Sequence, residues 1–378
     1  MVDEALAQPG DNSQIVTEVI ASLARLGLLR TSPHTLDADV ISALAHFQQA
    51  RGLSATGILT RSTYRALEEA RWRLGDRNLS VIPGALMRGD DVTTLQQRLT
   101  EMGFDCGRVD GIYGPLTESA VKDFQRQVGL SSDGIVGVGT YKALIRLTGT
   151  VKGGTPTSLR DEYLVRRRGP ALNGKVVVLD PSFGGSAKGC EAFGLNESQI
   201  VLDVAQRLEG RLTALGVRTF LTRGKETNPS ESERIEFANK SGADLVISFH
   251  LEAHTNPLAS GVASYYYGND AHEVHSVVGE KLATLIQREI CARTDLINCR
   301  THARTWEILR LTKAPSVRVD LGYLTNESDA TKLARAAFRD TLAEALVVAI
   351  QRLYFAVEED AATGTLSIAD LRRAGLRK

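Results

Sequence analysis

In an open α/β sheet, reactive groups gather in the loops just beyond strand ends. Three short β-rich runs in this 378-residue chain lead through Leu179, Ser248 and Val319, and the residues just after these positions, Asp180, His250 and Asp320 among them, are where chemistry belongs. Carboxylates and an imidazole can move protons or ligate a metal ion. His254 lies four residues past His250, and His272 and His275 follow it. The four cysteines, Cys106, Cys190, Cys291 and Cys299, have no paired metal-ligand spacing and read as reduced thiols of a cytosolic protein.

The elements that must position these groups fill the second half of the chain. β-rich runs at Val176–Leu179, Val217–Leu221, Leu245–Phe249, Gly261–Tyr267 and Ser316–Leu321 alternate with helical periodicity at Ile200–Leu215, Ser230–Ser241, His275–Thr294 and Thr331–Tyr354. That alternation predicts an α/β sandwich. Ahead of it a Gly- and Thr-rich stretch from Gly149, then Arg166, Arg167 and Arg168, reads as a linker.

The length calls for two or three domains, since single cores stop growing near about 250–300 residues. Forty-five basic residues balance forty-five acidic ones, so no broad positive field exists to attract nucleic acid or a membrane surface. No apolar run approaches the roughly 20 residues that span a bilayer. Asp3 and Glu4 stand where a secretory signal would be basic, which predicts no export signal and a cytoplasmic location.

The first 150 residues contain a repeat. Phe47-Gln48, Gly52-Leu53, Gly57-Ile58, Thr63-Tyr64 and Ala66-Leu67 recur as Phe124-Gln125, Gly129-Leu130, Gly134-Ile135, Thr140-Tyr141 and Ala143-Leu144, at one constant offset. A constant offset means duplicated small domains. In the second copy, Val92, Leu95, Leu99 and Met102 follow helical spacing, Thr117–Val128 forms a second amphipathic helix, and Thr140 is the expected N-cap of a third. Each copy is thus a three-helix bundle.

These residues resemble the three-helix "PG-binding 1" family of peptidoglycan-binding modules. Its pattern is matched by Gly89, Val92 and Leu95-Gln96, by Asp110-Gly111-Ile112-Tyr113-Gly114, by Phe124-Gln125 and by Gly129 through Gly134. The resemblance makes Asp110, Tyr113 and Asp133 candidate glycan-binding residues. The first copy is degenerate: residues 31–37 replace the Asp-Gly-x-Tyr-Gly turn, and Thr56 stands in place of Asp133.

A second resemblance covers roughly 175 to 355. Leu179-Asp180-Pro181, Gly184-Gly185, Asn196-Glu197, Ile247-Ser248-Phe249-His250, Tyr265-Tyr266-Tyr267 and Val319-Asp320-Leu321-Gly322-Tyr323-Leu324-Thr325-Asn326 look like successive motifs of the zinc-dependent N-acetylmuramoyl-L-alanine amidases, the "amidase 3" family. Members hold zinc with a His in an Asp-Pro-Gly-His-Gly-Gly loop, a Glu before the first helix and the His of Ser-Ile-His; a later Glu is the catalytic carboxylate. Glu197 and His250 match two of the ligands, but the first ligand position holds Phe183, whose ring has no lone pair to donate. A structural zinc is worth roughly 10–16 kcal/mol over its ligands, so one lost ligand removes about 3–5 kcal/mol. Asp320 replaces the catalytic Glu with a side chain one methylene shorter. The resemblance therefore implies vestigial Glu197, His250 and Asp320, with Glu197 and His250 bonded to each other, and no cofactor. His254, His272 or His275 rebuilding a zinc site is the alternative, and with it a working peptidoglycan amidase.

The predicted organisation is a degenerate module at 10–72, a second module at 85–147, a linker at 148–172, an amidase 3-like domain at 173–356 and a regulatory tail at 357–378. The tail carries Thr363 and Thr365 beside Glu358, Glu359 and Asp360, and phosphate on either threonine would create a site for an Arg-lined phosphothreonine reader. The whole architecture resembles the actinobacterial CwlM group of regulatory pseudo-amidases. That resemblance implies control of peptidoglycan precursor synthesis by phosphorylation-dependent protein binding. Its implied partners are the UDP-N-acetylglucosamine enolpyruvyl transferase, a Ser/Thr protein kinase and a forkhead-associated domain protein; a muropeptide or peptidoglycan precursor is the candidate ligand of the N-terminal modules, and the charge balance predicts no nucleic acid.

Overall fold

A computed structural model describes residues 5–29, 33–82, 84–148 and 171–354. Thr363, Thr365 and most of the expected linker lie outside these. The chain divides into two compact units, one helical and one α/β.

In the helical unit, the first copy comprises α1 (Gln14–Arg25), α2 (Ala38–Ala50) and α3 (Arg61–Glu69), and the second comprises α4 (Asp90–Glu101), α5 (Pro115–Gln127) and α6 (Val138–Thr148). Each bundle has its own core, around Leu44, Phe47 and Leu67 in one and Leu95, Tyr113, Phe124 and Leu144 in the other. The repeat is also kept in polar detail. Gln48 Nε2 donates to Ile58 O and Thr63 Oγ1 at 2.8 and 2.9 Å while its Oε1 accepts from Gly57 N at 2.8 Å. Gln125 does the same with Ile135 O, Thr140 Oγ1 and Gly134 N at 3.0, 3.0 and 2.9 Å. A buried glutamine thereby satisfies a turn whose backbone would otherwise be orphaned. This corrects the expected cap: α6 begins at Val138, and Thr140 lies in its first turn with its hydroxyl turned to Gln125 and Ile135.

The α/β unit is a seven-stranded sheet in the order β4–β1–β5–β9–β6–β7, with β8 paired to β6. Its strands are β1 (Val176–Pro181), β4 (Arg218–Leu221), β5 (Leu245–Glu252), β6 (Val262–Asn269), β7 (Val274–His275), β8 (Asn298–Arg304) and β9 (Ser316–Tyr323), while β2 (Glu191–Ala192) and β3 (Leu195–Asn196) form a separate hairpin. β1, β4, β5 and β9 run parallel and β6 is antiparallel to β9. The helices are α7 (Glu197–Ala214), α8 (Glu231–Lys240), α9 (Val277–Arg293), α10 (Glu307–Leu311), α11 (Glu327–Ala334) and α12 (Ala336–Tyr354). Two features differ from expectation. The polar run Asn298–Arg304 is a half-buried strand bonded through β6, and the expected single helix from Thr331 is two, broken where Arg335 turns extended.

Strand parity places the site. Side chains alternate between faces, and Val177, Leu179, Leu245, Ile247, Phe249, Leu251, Val317, Val319 and Leu321 all enter the large core with α7, α9 and α12. Val178 and Val246 face the other way, against Ala238 of α8. Following that second parity toward the carboxyl ends of the strands reaches Asp180 on β1, Ser248, His250 and Glu252 on β5, and Arg318 and Asp320 on β9. On β6, Tyr265 is in register with Arg318. Among the described residues, no helix is long and apolar enough to cross a membrane.

Candidate functional site

The loop leaving β1 is Asp180-Pro181-Ser182-Phe183-Gly184-Gly185, and two buried arginines fix its shape. Arg234 of α8 donates to Asp180 Oδ1 and Pro181 O at 2.8 Å and to Phe183 O at 3.0 Å. Arg223 donates to Pro181 O, Ser182 O and Ser198 O, each at 2.8 Å. Asp180 also accepts from Thr222 and Ser248 at 2.5 and 2.9 Å. Burial alone would raise its pKa, but Arg234 and the Thr222 bond outweigh this and hold it below its ordinary value. The loop is thus held through its carbonyls, largely independent of the side chains it presents. Phe183 sits within it at a φ of 56°, a left-handed conformation uncommon for a bulky residue.

Glu197 is the first residue of α7, which Asn196 caps by accepting from Gln199 N at 3.0 Å. Its carboxylate is 2% exposed. Oε1 accepts from Ser182 Oγ at 2.6 Å and Leu251 N at 3.1 Å, Oε2 accepts from Cys190 N at 3.2 Å, and His250 Nδ1 lies 3.4 Å from Oε1. Three of a carboxylate's roughly four lone-pair sites are thereby taken. Burial pushes its pKa up, but His250, Ser182 and Leu251 N prevail and hold it well below the ordinary value. His250 is pushed down by burial and then by Arg318, with Glu197 pulling the other way. Gly189 backs onto this cluster: a Cβ there would stand 2.5 Å from Glu197 Oε2 and 2.7 Å from Phe183 Cδ2, which places ring and carboxylate side by side.

Asp320 is 2% exposed and is gripped by Arg318, with Nε to Oδ1 at 2.6 Å and Nη2 to Oδ2 at 3.2 Å. Arg318 Nη2 also donates to Glu252 Oε1 at 2.7 Å. The guanidinium lies 4.5 Å over the Trp306 ring and 6.0 Å from that of Tyr265, whose centroid is 4.8 Å from Trp306. Burial and then Asp320 push the Glu252 carboxyl up to about 8 against the pull of Arg318. Sequence reasoning missed Ser182, Glu252, Trp306 and Arg318, and gave Tyr265 a place in a motif but no role in the site. Strand parity could have found two of them: Arg318 is two residues before Asp320, and Glu252 two after His250.

The histidines considered as replacement ligands lie elsewhere. His254 is exposed, with Nδ1 accepting from Asn256 N at 2.9 Å, and His275 Nε2 faces Glu280 at 3.4 Å. Among the described residues no group of three or more His, Cys, Asp or Glu side chains is arranged to hold a metal. The residues present do not fit a catalytic zinc, which needs three protein ligands and an open fourth position.

In the helical unit the candidate glycan residues hold the turns. Tyr113 is fully buried in the core of its bundle, with its hydroxyl donating to Gly134 O at 2.8 Å. Asp110 accepts from Gln96 Nε2 and Ile112 N, both at 2.9 Å, and Asp133 from Gln125 Nε2 at 2.7 Å and Ile135 N at 2.8 Å.

Comparison with known proteins agrees with this architecture. The N-acetylmuramoyl-L-alanine amidase profile of the amidase 3 family matches residues 177–352, and a peptidoglycan binding domain profile matches 12–67 and 88–144. The chain is 45% identical to N-acetylmuramoyl-L-alanine amidase CwlM of Mycobacterium tuberculosis over 96% of its own length and 93% of that protein's. The chain belongs to the amidase 3 family. Within that family it is also 30% identical to N-acetylmuramoyl-L-alanine amidase LytC of Bacillus subtilis, over 46% of this chain and 34% of that one. The solved N-acetylmuramoyl-L-alanine amidase AmiC2 of Nostoc punctiforme is 29% identical with a TM-score of 0.44, covering 48% of this chain and 97% of that one. The two profile matches and the M. tuberculosis relative establish the helical repeat followed by an α/β amidase 3 domain.

Proposed function

We propose that this amidase 3 protein has exchanged hydrolysis for recognition and acts as a cytoplasmic regulator of peptidoglycan precursor synthesis. The observation that carries this is the side-by-side placement of the Phe183 ring and a Glu197 carboxylate already bonded to Ser182, Leu251 and Cys190. With no zinc to polarise an amide carbonyl or acidify water, and with Asp320 held in an ion pair by Arg318, the site lacks both the electrophile and the unpaired carboxylate that a zinc amidase uses. What remains is a rigid framework for protein binding. The partners we assign are the UDP-N-acetylglucosamine enolpyruvyl transferase, which it activates, a Ser/Thr protein kinase acting on Thr363 or Thr365, a forkhead-associated domain protein reading the phosphate, and a muropeptide or peptidoglycan precursor.

The retained Glu197 and His250, and the name carried by the M. tuberculosis relative, favour the rival reading of an active amidase. Metal analysis of the purified native chain together with a muropeptide digestion separates the two: stoichiometric zinc with released L-Ala peptides overturns the proposal. Pull-downs with Thr363→Ala and Thr365→Ala test the tail, and an unchanged set of bound proteins removes the phosphorylation step.

A further inference from the structure

Resting on the reading that the native chain holds no zinc, we propose that the pocket is closed to a metal by two internal replacements, Ser182 and Arg318, so that restoring histidine at Phe183 does not by itself restore the ion. The first replacement is chemical. Where the family loop has glycine, Ser182 supplies a hydroxyl that donates to Glu197 Oε1 at 2.6 Å, the oxygen nearest His250. A metal approaching between Glu197 and His250 must displace that buried hydrogen bond. It must do so in a loop whose backbone Arg223 and Arg234 hold in place.

The second replacement is electrostatic. His250 and Asp320 are directly paired across β5 and β9, and the Arg318 guanidinium binds Asp320 through two nitrogens and reaches Glu252 on the strand bearing His250. Buried anions need a compensating charge. In a zinc enzyme the ion contributes that charge; here a tethered cation does, stacked on Trp306 and unable to diffuse away. A divalent ion would then enter beside a fixed positive charge, in surroundings that screen it poorly.

The test is zinc binding to the full chain, by titration calorimetry and by metal content after dialysis at buffered free zinc. Native protein, Phe183→His, Phe183→His with Ser182→Gly, and the triple variant adding Arg318→Met are run in parallel. Groups neighbouring a metal's ligands alter affinity by about 10- to 100-fold each, so the triple variant should bind at least about a hundredfold more tightly than Phe183→His alone. The triple variant with Arg318→Lys, which keeps the charge, should stay within about tenfold of the double variant lacking any change at 318. Because Arg318→Met leaves Asp320 facing Glu252, a version that also carries Glu252→Gln replaces it if near-UV circular dichroism shows it unfolded. Stoichiometric, equally tight zinc in Phe183→His alone overturns the inference while leaving the native chain zinc-free. A folded triple variant that gains nothing also overturns it. Stoichiometric zinc in the native chain instead defeats the reading on which the inference rests.

Discussion

Replacing Gly189 by alanine tests whether the Phe183 ring stands where the geometry puts it. Gly189 has a φ of +72°, and an added methyl would meet Glu197 Oε2, Phe183 Cδ2 and Glu197 Cβ at 2.5, 2.7 and 2.8 Å. The left-handed backbone costs an alanine about 1–2 kcal/mol, and forcing a methyl into a filled space about 1–3 kcal/mol more. Gly194, in the β2–β3 turn, is the control: its φ is +74° and a Cβ there meets nothing within 4 Å. Gly194→Ala should therefore lose only the backbone contribution, and Gly189→Ala about 1–3 kcal/mol more. Urea unfolding followed by Trp306 fluorescence in a Trp72→Phe background reports the α/β unit alone. Adding Phe183→Ala to Gly189→Ala should recover part of the loss, since residues in contact couple by about 0.5–3 kcal/mol. Equal destabilisation by the two alanines, with no coupling to Phe183, would refute the arrangement of ring and carboxylate around Gly189.

Other outcomes follow from the same contacts. Gln125→Ala removes four hydrogen bonds from the second module, the one to Asp133 included, and Gln48→Ala removes three from the first. Each should cost its module about 2–4 kcal/mol, seen as an earlier melting of that bundle by circular dichroism. Asp180→Asn should cost about 3–5 kcal/mol at pH 7 by leaving Arg234 without its buried counter-charge. Because the folded pKa of Asp180 is depressed, its contribution is complete above the ordinary carboxylate value and lost as pH falls through the folded one. Urea titrations should accordingly show wild type and Asp180→Asn converging in acid, and a constant gap would contradict the assignment. Prolonged dialysis against a chelator should leave the native melting temperature unchanged, whereas a site at a thousand times its Kd in zinc would lose about 4 kcal/mol.

The sequence carried most of the fold because its signals were local and periodic. Pairs such as Phe47-Gln48 and Phe124-Gln125 at one offset revealed the duplicated bundles, and the β-rich runs fell on β1, β4, β5, β6 and β9. Strand β8 was missed because Asn298–Arg304, at the sheet margin, needs no apolar run to pair. In the site, the mapping of Phe183, Glu197, His250 and Asp320 came from motif order. Their partners did not: Ser182 and Arg318 act through contacts that form only when separate strands are laid side by side. Tyr113 became a candidate through the family pattern alone, and motif order does not reveal that the folded turn draws its hydroxyl inward to Gly134.

The alternation along β1, β5 and β9 divides labour within single strands. Residues at one parity weld the sheet to its thick helical layer, and those at the other line a rim whose chemical character can be rewritten. Converting a scissor into a handle on such a framework requires no change in the welded half. The old cutting edge thereby becomes a ready-made relief of charge and aromatic rings on a base that keeps its shape.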